Sequence, residues 1–242
     1  MDQLTAETPP GGSDALKAAR PFDWQRLAQS GVIPLVELPS VDVAVPATAA
    51  LVGAGLVCVE VALRTEGAVD GIRRIRDSFP DLCLGAGTVL DLDQLALVVE
   101  AGVDFVVSPG FNPTVVDRCR ELGVPILPGV ATPTEIDMAL TRGLDVVKLF
   151  PAEALGGLGY LKAIAAPYRA VRFVPTGGIN AHNLADYLAI PNVLACGGSW
   201  IAGLELLRRR DFETVRQLAA GALAIAKGAR PSLIVDGTGA AR

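Results

Sequence analysis

Val146-Val147-Lys148-Leu149-Phe150-Pro151 is a short apolar run that stops at a proline and carries a lysine in its middle. Its length and β-branched content read as a buried strand rather than a helix segment. It is one of a series. Val32–Leu38, Val57–Leu63, Leu82–Thr88, Phe105–Pro109, Pro125–Ala131, Val146–Pro151, Arg172–Gly178 and Val193–Ser199 are all short apolar segments, most of them closing on Gly, Pro, Ser or Thr. They recur at roughly 20–27 residues, and helical patterns such as Asp93–Ala101 and Pro133–Leu140 fill the gaps. Strands alternating with helices pair in parallel with both faces covered. Eight such units in a chain of 242 residues predict an α/β protein of the (β/α)8 TIM-barrel type, which takes about 250 residues. The competing architecture is a doubly wound open sheet, but no Gly-x-Gly-x-x-Gly follows the first segment.

The chain divides into residues 1–20 as a flexible tail, 21–227 as the barrel, and 228–242 as a second tail. At 51% hydrophobic residues, there is ample material for one large core. The net charge of −5 gives no generalised basic surface for nucleic acid, and Arg208-Arg209-Arg210 reads as a solvated helix end. No apolar stretch reaches the roughly 18–20 residues that span a bilayer, so no membrane partner is expected. The acidic, Pro/Gly-rich start does not read as a secretory signal. Cys58, Cys83, Cys119 and Cys196 are widely spaced with no Cys-x-x-Cys pair, as small buried side chains in a reducing cytoplasm would be.

Lys148 is the first chemical signal. Lysine is normally excluded from buried strands unless its charge is paired or suppressed. A neutral lysine amine attacks ketones to form a Schiff base. An unperturbed lysine, with a pKa of about 10.4, is almost wholly protonated near neutrality. The plainer alternative is a lysine that snorkels from a strand end into solvent. In a barrel of this kind catalytic residues sit at the C-terminal ends of the strands. Side chains two apart share a face, so Glu60, Ala62 and Arg64 line one side of their segment, and Lys148 and Phe150 line one side of theirs. If both faces point inward, a carboxylate, a guanidinium and an amine converge at one mouth. A structural ion-pair network would use the same residues, although three charges in apolar strands carry a large desolvation cost.

The second signal is a pair of glycine turns. Pro175-Thr176-Gly177-Gly178 and Gly197-Gly198-Ser199 end the last two segments, where this fold often seats a phosphate. Glycines let backbone N–H groups come close to an anion. Thr88, after Gly85-Ala86-Gly87, has a hydroxyl able to donate into the mouth or simply to cap a turn. His182, the only histidine, reads as a surface residue at a helix start. Asp91 and Asp93 read as capping residues rather than metal ligands, and with one histidine and scattered cysteines no structural zinc site is expected.

Glu60-Val61-Ala62-Leu63-Arg64-Thr65-Glu66, Gly85-Ala86-Gly87-Thr88-Val89, Ser108-Pro109-Gly110, Lys148-Leu149-Phe150-Pro151-Ala152-Glu153, Pro175-Thr176-Gly177-Gly178-Ile179 and Gly197-Gly198-Ser199-Trp200 follow one another in order. Together they resemble the 2-dehydro-3-deoxy-6-phosphogluconate aldolase family over roughly residues 22–228. The resemblance implies a (β/α)8 barrel, a homotrimer, and a lyase that cleaves a phosphorylated keto acid without a cofactor. It implies Lys148 as the Schiff-base lysine and Glu60 as the general acid/base. Arg64 and Thr88 would hold the pyruvate carboxylate, with Pro109 and Phe150 lining the pocket. Gly177, Gly178, Gly198 and Ser199 would form the phosphate end. Some relatives carry an arginine just after the first strand where this chain has Glu37. The Leu-Arg-Thr-Glu and Pro-Thr-Gly-Gly forms favour the gluconate-derived substrate over the galactonate-derived one, with 4-hydroxy-2-oxoglutarate as a second substrate. A different phosphosugar-binding barrel, whether a metal-dependent enzyme or a non-catalytic sensor, would keep the glycine turns without needing Lys148.

Overall fold

The computed structural model describes residues 22–230. The tails expected at 1–20 and over most of 228–242 lie outside the described residues. Strands and helices alternate along the chain: α1 (Gln25–Ser30), β1 (Val32–Val36), α2 (Ala44–Gly53), β2 (Cys58–Ala62), α3 (Ala68–Ser78), β3 (Cys83–Gly87), α4 (Leu92–Glu100), β4 (Phe105–Val107) and α5 (Pro113–Glu121). The short strands β5 (Ile126–Leu127) and β6 (Gly129–Val130) follow, then α6 (Pro133–Thr141), β7 (Val146–Leu149), α7 (Gly157–Ala165), β8 (Arg172–Pro175), α8 (Leu184–Leu188), β9 (Cys196–Gly198), α9 (Leu204–Arg208) and α10 (Phe212–Ala229).

All strand pairs are parallel. They form a six-stranded sheet ordered β5-β4-β3-β2-β1-β9 and a three-stranded sheet ordered β6-β7-β8. The α/β class and parallel pairing are those the segment pattern predicts, but eight segments have become nine strands in two sheets. The extra boundary falls at Pro128, inside the segment Pro125–Ala131. Proline has no N–H to donate, so regular pairing is interrupted there. On one side of it Val106 and Ser108 donate to the carbonyls of Pro125 and Leu127; on the other, Lys148 and Phe150 donate to those of Pro128 and Val130. At the opposite edges, isolated parallel bridges join Phe173 to Val193 and Thr176 to Gly197.

Residue parity along each strand sorts the core. Val59 and Val61, Leu84 and Ala86, and Val147 and Leu149 face the helices in the larger apolar cluster. Ile33, Cys58, Cys83, Phe105, Val107, Leu127, Val146 and Val174 form a second cluster, capped by Leu27 and Ala28 of α1 together with Phe22 and Trp24. Glu60 is two residues beyond Cys58, and Lys148 two beyond Val146, so both belong to that second face, further along the strands.

Helix starts follow local chemistry. Asp91 caps α4 by accepting from the Gln94 N–H at 2.8 Å, and Thr132 with Glu135 forms a capping box on α6. The exposed Arg208 ends α9, and Arg210 just beyond it pairs with Asp42. The last helix runs through Ala229, and Arg230 then donates to the carbonyls of Leu188, Val193 and Leu194. Among the described residues, no helix is long and apolar enough to cross a membrane.

Candidate active site

Lys148 and Glu60 meet in the interior. Their side chains are 4% and 3% exposed, and Lys148 Nζ lies 4.0 Å from Glu60 Oε1. Within its own sheet each has fixed neighbours: Glu60 pairs with Leu35 and Gly85 across β1–β3, and Lys148 with Gly129 and Val174 across β6–β8. Glu60 Oε1 takes no hydrogen bond among the described residues. A buried carboxylate oxygen without a donor is costly, and such atoms concentrate where a ligand or reacting group will supply one. Gly87 makes the space: a Cβ there would stand 2.1 Å from Glu60 Oε1, so only glycine admits the carboxylate in this position. The Phe150 ring lies with its centroid 5.0 Å from Lys148 Nζ, giving the amine an aromatic wall as well as an acidic one.

Other candidates follow the ends of the strands. Thr88 follows β3 with φ of +63°. A β-branched residue in the left-handed region is strained, and such strain persists where the surroundings fix it, often at functional sites. Pro109 follows β4 after the buried Ser108, whose hydroxyl donates to the Gly110 carbonyl at 2.8 Å. Gly177 and Gly178 follow β8 with φ of +95° and +84°, Gly198 ends β9, and the exposed Ser199 comes just after it. The Thr176–Gly197 bridge puts the two glycine turns side by side.

Arg64 does not join the buried pair. Its guanidinium is half exposed, with Nη1 3.6 Å from Glu37 Oε2 at the end of β1. Nothing in the sequence signals that Glu37, just after β1, and Arg64, just after β2, are opposed. A second pairing without a local sequence signal is that of Glu153 and Tyr187. Tyr187 is fully buried, its hydroxyl donates to Glu153 Oε1, and burial first, then Glu153, pushes its phenol well up. The acid in Phe150-Pro151-Ala152-Glu153 was the available signal, but its tyrosine lies 34 residues away.

His182 is exposed, just before α8. All four cysteines are buried, and burial pushes the thiols of Cys119 and Cys196 up to about 12, so neither supplies a thiolate near neutrality. Among the described residues, no group of three or more His, Cys, Asp or Glu side chains could hold a metal ion. The arrangement offers instead a buried amine beside an unpartnered carboxylate, a cation at the rim, and two glycine turns able to face an anion.

The chain is similar to known proteins over most of its length. Residues 24–218 match the family described as "Aldolase: KDPG and KHG aldolase". The 2-dehydro-3-deoxy-phosphogluconate aldolase of Treponema pallidum is 50% identical over 202 residues, 84% of this chain and 96% of that protein. The KHG/KDPG aldolase of Escherichia coli is 42% identical over 210 residues, 85% of this chain and 99% of that one. Among solved structures, a KDPG aldolase from Legionella pneumophila, with pyruvate captured as a covalent carbinolamine intermediate, aligns with a TM-score of 0.81. It is 36% identical, and the alignment covers 83% of this chain and 98% of that one.

Proposed function

This chain belongs to the KDPG and KHG aldolase family, and on that premise we propose that it is a Schiff-base-forming aldolase. Its substrate is 2-dehydro-3-deoxy-6-phosphogluconate, cleaved to pyruvate and glyceraldehyde 3-phosphate as in the Entner–Doudoroff route. 4-Hydroxy-2-oxoglutarate, cleaved to pyruvate and glyoxylate, is its second substrate. The observation that carries this reading is the buried contact between Lys148 Nζ and Glu60 Oε1 at 4.0 Å.

Chemistry follows from the groups. The Lys148 amine adds to the C2 ketone, giving a carbinolamine that loses water to become an iminium. As C3–C4 breaks, its electron pair moves into the iminium and forms an enamine. The C4 hydroxyl gives up its proton and becomes the aldehyde of the departing product. Glu60 takes that proton, directly or through a water, since it is the carboxylate in contact with the lysine. Protonation of the enamine at C3 and addition of water then free pyruvate and the amine. Arg64 and Thr88 hold the pyruvate carboxylate, Pro109 and Phe150 shape the pocket, and Gly177, Gly178, Gly198 and Ser199 take the phosphate. No step calls for a metal or organic cofactor.

The same reading completes the architecture. β5 and β6 act as one strand broken at Pro128, and the bridges from β8 toward β9 join the other edges, which supports a closed (β/α)8 barrel. A single catalytic domain over 21–227, a homotrimer and a cytoplasmic location belong to this proposal, carried by the family and by four buried thiols.

Borohydride reduction in the presence of pyruvate tests it. One adduct per chain is expected, mapped to Lys148 by peptide mass. An unmodified chain, or an adduct at Lys162 or Lys227, overturns the assignment.

A further inference from the structure

The turn Gly177-Gly178 has its carbonyls tied back. The Gly177 carbonyl accepts from the Glu153 N–H at 3.1 Å, and the Gly178 carbonyl accepts from the side-chain amides of Asn180 at 3.1 Å and Asn183 at 3.2 Å. Among the described residues, no protein acceptor takes the N–H groups of Gly178 and Ile179. With the oxygens held away, the turn can present N–H groups to an anion. Yet an acid stands against it. A Cβ on Gly178 would lie 2.5 Å from both Cβ and Cγ of Glu153, so the Glu153 side chain runs flat along that glycine. A free carboxylate there would repel a phosphate. On its other side the carboxylate packs against Gly157 at the start of α7: Glu153 Oε1 lies 3.0 Å, and the Tyr187 hydroxyl oxygen 3.4 Å, from where a Cβ of that glycine would stand. The Tyr187 hydroxyl donates to that oxygen from a fully buried ring.

We propose that Glu153 and Tyr187 are paired positioning residues for the anion seat. The Glu153 main chain and methylenes brace the Gly177-Gly178 turn, while Tyr187 draws the carboxylate toward Gly157 and off the bound phosphate. The proposal rests on the reading of that turn as the phosphate end of the site. It makes Tyr187 a determinant of affinity for phosphorylated substrate that never touches the substrate. Removing the hydroxyl releases a negative charge beside the seat, whereas removing both hydroxyl and charge leaves the turn braced.

The test is steady-state cleavage of 2-dehydro-3-deoxy-6-phosphogluconate together with borohydride trapping with pyruvate alone. Tyr187→Phe should raise KM about fivefold or more, with kcat and pyruvate trapping little changed. Adding Glu153→Gln to that variant should return KM to the wild-type value. Loss that the second substitution does not rescue means a packing role and overturns the proposal, as does an unchanged KM in Tyr187→Phe. If Tyr187→Phe fails to fold, shown by loss of the pyruvate adduct, Glu153→Asp gives the same test from the other side. Its carboxylate is one methylene short of Tyr187, so KM must rise, and an unchanged KM sinks the idea. Ser199→Asp separates the two levels. If it too leaves KM unmoved, the phosphate does not bind at these turns and both readings fall. If it raises KM while Tyr187→Phe does not, only the Glu153–Tyr187 pair is wrong.

Discussion

Lys148 Nζ lies 4.0 Å from Glu60 Oε1, although the two residues belong to different sheets and are 88 positions apart in sequence. Each is almost fully buried, and the carboxylate oxygen facing the amine has no other partner among the described residues. A purely structural ion pair of this kind is a weak source of stability, because desolvation offsets most of the attraction. A reacting centre, by contrast, needs an amine and a proton acceptor within one small volume.

Lys148→Arg keeps the positive charge but has no amine able to condense with a ketone. Aldehyde release from phosphorylated substrate should fall to background. Substantial residual turnover would move the chemistry away from this residue.

Glu60→Gln should still trap pyruvate on Lys148, because adduct formation needs the amine. Cleavage should fall by about 10²–10⁴-fold, the usual contribution of a positioned acid/base. A variant that cleaves substrate near the wild-type rate would make Glu60 a structural partner only.

Glu37 and Arg64 lend themselves to a competition experiment. Their charges are 3.6 Å apart but partly exposed, so solvent screens them and the pair contributes well under about 1 kcal/mol. A substrate carboxylate must share or displace that contact. Glu37→Gln should therefore strengthen pyruvate saturation in the trapping assay by up to about fivefold, and Arg64→Ala should weaken it. Weakening by both would mean that Glu37 orients the guanidinium rather than competing for it.

Ser199→Asp sets a carboxylate against the phosphate end. Like charges at about 4 Å cost roughly 1–4 kcal/mol across the relevant dielectric range. kcat/KM on phosphorylated substrate should drop at least about tenfold, while the pyruvate adduct forms normally. A parallel loss of both would point to damage to the fold.

Excess EDTA should leave cleavage unchanged. The chain has one histidine, and its described acidic and thiol side chains form no group able to hold a metal. Activity lost to the chelator and restored by a divalent ion would identify a metal-dependent enzyme instead.

Short apolar segments ending in Gly, Pro, Ser or Thr, separated by helical patterns, were enough to specify parallel strands alternating with helices, because those periods are local properties of the chain. Lys148 stood out for the same reason: a charge inside Val146–Pro151 conflicts with its neighbours whatever the rest of the fold does. Asp91 as a cap and the adjacent glycine turns were legible in that way too. Only tertiary structure decided who meets whom. Pro128 splits one expected strand in two because a missing N–H matters only against a particular neighbour. Arg64 shares parity with Glu60 yet turns outward to Glu37, since parity fixes a side chain's face and not its reach past the strand end. Glu153 and Tyr187 come together over 34 residues through the packing of α8 against α10 and β9, a distance over which no periodicity carries information.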